Sequence, residues 1–292
     1  GRLLVLPDGP LHYLPFSVLV CDSTGLPRMP VRYGFSLAVL ELAARDAPAG
    51  TVCTGWAPFA EAGRDSLAPL PHTARELEAL PAGTRLFVGE QATLAAFRQM
   101  APRAGLIHLA THARGGTQPR IAFADSVLPA AELYRMELQA ALVVLSACET
   151  LPGKEVAGEG VMGLARAFAY AGARGLVASL WQVNDATTAE LWTAFYRHLA
   201  AGRPADEALW QAQRDYLARV GRPDYQRHPW YWAGFVYLGP AETLPAHLKA
   251  GRPWWQMALA LVALAAAGFI CRKAWRHLRK RNNGGMSHAG EP

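Results

Sequence analysis

Short apolar runs recur through the first 240 residues, each set apart from the next by a stretch long enough for a helix or a long loop. Residues 3–6, 85–88, 106–110, 142–145, 175–180 and 232–238 are such runs, with 51–56 a weaker one. Each is too short for a stable helix and several end on turn residues, as at Pro7-Asp8-Gly9-Pro10. Residues 35–45, 72–80 and 161–171 carry helical patterns. Thr93 can cap a helix to about Met100, Asn184 or Asp185 one to about His198, and Pro204 can open another to about Val220. Strands separated by helices imply βαβ crossovers. The expected fold is therefore α/β, a mostly parallel open sheet with helices on both faces. In such sheets chemistry collects at the carboxyl ends of the strands.

Charge narrows the choice of partner. The 292 residues are 51% hydrophobic and 18% charged, which excludes a disordered chain. The formal net charge of +6 suggests a nucleic acid or a membrane surface. Yet Arg272, Lys273, Arg276, Arg279, Lys280 and Arg281 account for it, and without them 23 basic residues face 23 acidic ones. A balanced domain has no basic groove to offer, so no nucleic-acid partner is expected. Cys21, Cys53, Cys148 and Cys271 are scattered and form no C-x-x-C pair, so neither a disulfide scaffold nor a zinc ribbon is implied. No metal or organic cofactor is expected.

Two strand ends carry reactive side chains. One reads Leu-Ile-His-Leu-Ala-Thr-His112-Ala-Arg-Gly-Gly, the other Leu-Val-Val-Leu-Ser-Ala-Cys148-Glu-Thr. The interval between His112 and Cys148 leaves room for one crossover, so their strands can be neighbours. A Cys–His pair is the minimum for thiol nucleophilic catalysis: the thiolate attacks while the imidazole takes and returns a proton. An ordinary thiol, with pKa about 8.5, needs such a partner for activation. Spacing alone favours core filler for either residue, and His108, inside its run, fits that description better still.

The wording around these residues goes further. The segments LLVLPDGPLHYLPFSVL, IHLATHA, ADSVLPAAELYRMELQAALVVLSACET, GEGVMGLARAFAYAGARGLVASLWQVND and HPWYWAGFVYLG resemble, in order, the CHAT family. These are caspase-like domains related to separases and usually found behind tetratricopeptide repeats. The resemblance covers roughly residues 2–239. It implies a caspase-like fold and a cysteine endopeptidase, with the family's histidine on His112 and its nucleophile on Cys148. It also implies an oxyanion site built from the backbone N–H groups of Cys148 and Ala113. Ala113 stands where many caspase-like proteases carry glycine, but an alanine N–H donates equally well. In separase-like proteases the stretch matching Ser179-Leu-Trp-Gln-Val-Asn-Asp185 carries an acidic residue that recognises a basic P1 side chain. By resemblance Asp185 would pair with Arg or Lys of a substrate, with Trp181 along its stem. Asp185 capping a helix from about Ala186 is the equal alternative.

Residues 254–271, WWQMALALVALAAAGFIC, are free of charge. As a helix they would span about 27 Å, close to a hydrocarbon core. Two Trp at one end and the basic cluster at the other suit interfacial anchors. The expected organisation is a domain over 1–240, a linker over 241–253, a single transmembrane helix over 254–271 and a basic, then disordered, tail over 272–292. The positive-inside rule puts that tail in the cytoplasm and leaves the side of the domain open. The chain, which opens on Gly1 directly before a strand, is expected to be the C-terminal part of something longer, with regulatory repeats upstream.

The expected function is a membrane-anchored cysteine endopeptidase with a protein substrate. The rival is a protease-like interaction module, catalytically silent, in a membrane-bound signalling complex. The presence of both His112 and Cys148 favours the first.

Overall fold

The computed structural model describes residues 1–44, 49–115, 118–146, 160–181 and 185–249, all within one unit, Gly1–Ala250. The strands are β1 (Leu3–Val5), β2 (Val31–Tyr33), β3 (Val52–Ala57), β4 (Arg85–Val88), β5 (Ala104–Ala110), β6 (Ala113–Arg114), β7 (Arg120–Ala122), β8 (Val127–Pro129), β9 (Leu142–Ser146), β10 (Leu176–Ser179) and β11 (Phe235–Leu238). The helices are α1 (Phe16–Leu19), α2 (Leu37–Ala43), α3 (Thr73–Glu78), α4 (Leu94–Met100), α5 (Ala130–Leu133), α6 (Gly160–Tyr170), α7 (Asp185–Ala200), α8 (Ala205–Ala218) and α9 (Ala246–Lys249). Local chemistry sets several boundaries. The Thr93 hydroxyl accepts from the Ala96 N–H at 3.1 Å and starts α4, and the Ser36 hydroxyl does the same for α2 through Val39.

Eight strands form one sheet in the order β1-β2-β11-β10-β9-β5-β3-β4. Every pair is parallel except β10 with β11. The carboxyl ends of β3, β5, β9 and β10 therefore share one edge with the amino end of β11. The two faces of β5 show why the sheet is covered on both sides. Ile107 and Leu109 pack with Val143, Leu145, Phe97 and Phe168, among the residues of β9, α4 and α6. Leu106 packs the other way, with Leu142, Val144, Trp192 and Phe195, toward α7. Alternate side chains of a strand point to opposite faces, and both sets here are apolar apart from the enclosed His108. The result is the expected α/β architecture.

Three features depart from the sequence reading. β2 is a three-residue strand interrupted by Arg32, too short and too polar to stand out as an apolar run. β11 reverses direction, a choice that no hydrophobic pattern encodes. The small antiparallel sheet β6-β7-β8 that follows His112 was also unmarked in the sequence. In addition, residues 241–249, expected to belong to a linker, pack onto the domain. Leu244 and Leu248 are buried, and His247 Nε2 lies 3.2 Å from the Gly50 carbonyl oxygen. Two leucines have found apolar cover there, which a solvated linker would not need. Residues 254–271 lie outside the described residues. Among the described residues, no helix is long and apolar enough to cross a membrane.

Candidate active site

The register of β5 against β9 governs this edge. Ala110 pairs with Ser146, and the Thr111 N–H continues the ladder to the Ser146 carbonyl at 3.3 Å. His112 follows two residues after Ala110, and in sequence Cys148 follows two residues after Ser146. Cys148 lies outside the described residues.

His112 is held on several sides. Its Nε2 is 2.7 Å from the carbonyl oxygen of Ala68, in the loop after β3. A carbonyl oxygen only accepts, so the ring carries its proton on Nε2 and, when neutral, its lone pair on Nδ1. Phe59, from the same loop, meets the imidazole edge-on with centroids 4.9 Å apart. The Ala122 N–H donates to the His112 carbonyl at 2.9 Å, and the Thr111 hydroxyl donates to the Ala122 carbonyl at 2.7 Å. The residue as a whole is buried, which helps to fix the ring.

Ala113 opens β6 and pairs with Ile121. Because the ladder bond falls one residue earlier, from Ala122 to His112, Ala113 occupies a position whose own N–H points away from β7.

At the end of β10, Trp181 is half-buried. Its Nε1 donates to the Trp230 carbonyl at 2.9 Å, and the two indoles stack at 5.4 Å and 13°. Asp185 is the first residue of α7 rather than the residue preceding a helix begun at Ala186. Residues 182–184 lie outside the described residues, as do the glycine pair's second member, Gly116, and Glu159.

The described thiols contrast with what a nucleophile needs. Burial pushes Cys53 up to about 11, and burial together with the Asp22 carboxylate raises Cys21. His108, four residues before His112, is wholly enclosed. Its Nδ1 is 2.8 Å from the Tyr196 hydroxyl and its Nε2 is 3.2 Å from Glu76 Oε2. That second distance fits an ion pair, but burial pushes the imidazole down to about 3, so the ring is neutral at ordinary pH. The Tyr196 O–H then donates to Nδ1, and the Nε2 proton points to Glu76 Oε2. Beside it, Trp192 Nε1 donates to the Ser146 hydroxyl at 2.9 Å. Among the described residues, no three His, Cys, Asp or Glu side chains group to hold a metal ion.

The sequence reading missed Ala68, Phe59, Ser146, Trp192 and Trp230. Ala68 acts through its backbone and leaves no signal. Trp230 lay in plain view in HPWYWAGF.

The model of the CHAT domain matches residues 1–240. The chain belongs to the CHAT domain family. Tetratricopeptide repeat protein 28 of Mus musculus is 35% identical to this CHAT domain over 115 residues, 39% of the chain. The Homo sapiens protein of the same name is 36% identical over the same length. The match spans only 4% of either relative. Among solved structures, the Saccharomyces cerevisiae separase–securin complex aligns over 78% of the chain and 15% of its own, with TM-score 0.54 and 14% identity. The Arg-specific cysteine proteinase gingipain R aligns over 80% of the chain and 59% of its own, with TM-score 0.50 and 11% identity. At such identities the likeness is one of fold: the CHAT domain here is a caspase-like α/β sheet.

Proposed function

We propose that this CHAT domain is a cysteine endopeptidase in which Cys148 is the nucleophile and His112 the general base and acid. The observation that carries the reading is the Ala110–Ser146 register, which pairs the last residues of two adjacent parallel strands, each two residues in sequence before a reactive one. The bond from His112 to Ala68 adds to it, because it fixes the Nε2–H tautomer, in which Nδ1 is the basic nitrogen. The thiolate attacks the scissile carbonyl carbon, and its oxygen takes the negative charge. The N–H groups of Ala113 and Cys148 receive that oxygen. The protonated imidazole then gives its proton to the departing amine. Water, deprotonated by the same ring, hydrolyses the thioester and restores the thiol.

Asp185, at the start of α7, is the proposed partner for an Arg or Lys at P1, with Trp181 beside it. Residues 254–271 are proposed to span a bilayer once, with the basic tail on the cytoplasmic side. An upstream repeat region is proposed to recruit or regulate. Flotation of the full chain with anionic vesicles, lost on deleting 254–281, tests the anchor.

The decisive comparison sets wild type against Cys148→Ala on peptides varied at P1. Cleavage by wild type after Arg or Lys, abolished in the variant, is expected. Equal cleavage by both would sink the mechanism, and a preference for acidic P1 would remove Asp185 from its role. The silent interaction module predicts no cleavage by either.

A further inference from the structure

We infer that Trp230 is the exposed wall of a substrate subsite that takes a large flat or long aliphatic side chain of the peptide next to P1. The inference rests on the endopeptidase reading above and adds a residue to it.

Place comes first. Ser179 pairs with Phe235 across β10 and β11, and the Leu180 N–H donates to the Gly234 carbonyl at 2.8 Å. The turn bearing Trp230 (Pro229–Tyr231) precedes β11, so it stands on the sheet edge that carries His112. β10 lies one strand from β9 and two from β5. At about 4.8 Å per strand and about 3.3 Å per extended residue, a peptide of a few residues crossing the ends of β5 and β9 reaches the indoles.

The ring is exposed, yet it is held. Trp230 is 50% exposed, an unusual position for the largest side chain. One face stacks on Trp181, whose indole nitrogen is bonded to the Trp230 carbonyl. The Trp230 N–H is directed to His228 Nδ1 at 3.3 Å. Trp181 itself packs against the apolar layers on both sides of the sheet. Gly234 makes that seat possible, since a Cβ there would stand 2.9 Å from the Trp181 indole. An aromatic wall fixed in advance loses little entropy when a partner stacks on it, which is what a contact residue requires. A flat π face of this size favours aromatic or long unbranched partners over small or acidic ones.

The experiment uses the full chain and a peptide set with Arg at P1 and the two adjacent positions varied in turn: Phe, Leu, Gly and Glu at P2 and P1′. Binding of each peptide to Cys148→Ala, followed by calorimetry, keeps the test independent of turnover. At one position the Cys148→Ala chain should prefer Phe or Leu over Gly by about two- to tenfold, the span of a stacked aromatic contact. Adding Trp230→Ala should remove that preference, while Trp230→Phe should retain most of it. In the otherwise wild-type chain, kcat/KM should follow the same pattern. A profile unchanged by Trp230→Ala, no preference to begin with, or a uniform loss over all peptides would overturn the subsite. Loss of the binding preference in Trp230→Ala with no cleavage by wild type would instead retain the subsite and remove the endopeptidase reading.

Discussion

His108, on β5, and Glu76 form a fully enclosed pair, with Nε2 3.2 Å from Oε2, four residues before His112. The imidazole is neutral there because burial opposes its charge. Its folded-state pKa, about 3, lies below the unfolded value of about 6.5. Above pH about 6.5 both states leave the ring uncharged. As pH falls from there toward 3 the unfolded chain binds a proton that the folded one refuses, so stability is lost over that window. The loss from this one group is at most about 1.4 kcal/mol per pH unit. His108→Gln keeps a donor for Glu76 and cannot titrate. Urea midpoints measured between pH 6.5 and 4 should fall less steeply in that variant than in wild type. Parallel curves would mean that the imidazole is already charged when folded.

The two described thiols should be chemically quiet. With Cys53 raised to about 11 by burial, its thiolate fraction at neutral pH lies more than about a hundredfold below that of an unfolded cysteine. A Cys148→Ala, Cys271→Ala chain should therefore take up iodoacetamide at Cys53 at least that much faster in urea than when folded. Cys21, also raised but only half-buried, should protect itself less. Mass spectrometry of the alkylated peptides reads both. Fast labelling of Cys53 in the folded chain would contradict its burial.

Much of this fold was legible because burial on both faces writes continuous apolar runs, and β5, β9 and β10 are such runs. Their neighbours in the sheet could be inferred from crossover length, as with His112 and Cys148. β2 was not legible, since three residues with Arg32 at the centre carry no pattern. The antiparallel sense of β11 depends on where its preceding turn lies, not on its composition. At the site, side chains named by type were visible, whereas groups acting through the backbone were not. Ala68 orients His112 through a carbonyl that any residue would supply. Trp230 was visible but had no sequence signal to separate it from core tryptophans such as Trp192.

Trp192 and Ser146 are expected to be energetically coupled. Trp192 is fully buried, and its indole N–H has the Ser146 hydroxyl as acceptor at the last residue of β9. Ser146→Ala leaves that donor without its partner and should cost about 1–2 kcal/mol. Trp192→Phe removes the donor but opens space, for about 1–3 kcal/mol. The double variant should be more stable than the two single losses imply, because no donor is left behind. A double-mutant cycle by denaturant unfolding measures the coupling. Strict additivity would show that the contact contributes nothing.

Gly105 and Gly50 set how closely β5 can approach the segment that enters β3. A Cβ on Gly105 would fall inside the Gly50 carbonyl and within 2.8 Å of Leu248 in α9. The obstacle is backbone, which no rotamer change relieves. Gly105→Ala must therefore push β5 away from β3 or displace α9, whose Leu248 is buried against this corner. Overpacking of this kind costs about 1–3 kcal/mol, and a rigid carbonyl puts this site at the upper end. Two outcomes distinguish the routes. If α9 gives way, Cys53, which lies 4.0 Å from the Leu248 carbonyl, should gain reactivity toward alkylation while the melting temperature falls only modestly. If the strands part, His112 moves relative to the loop after β3, and the Ala68 contact should weaken with it. Proton exchange at the His112 ring, followed by NMR, reads that contact directly. An alanine variant with wild-type stability and unchanged Cys53 labelling would show that the corner is looser than its packing implies.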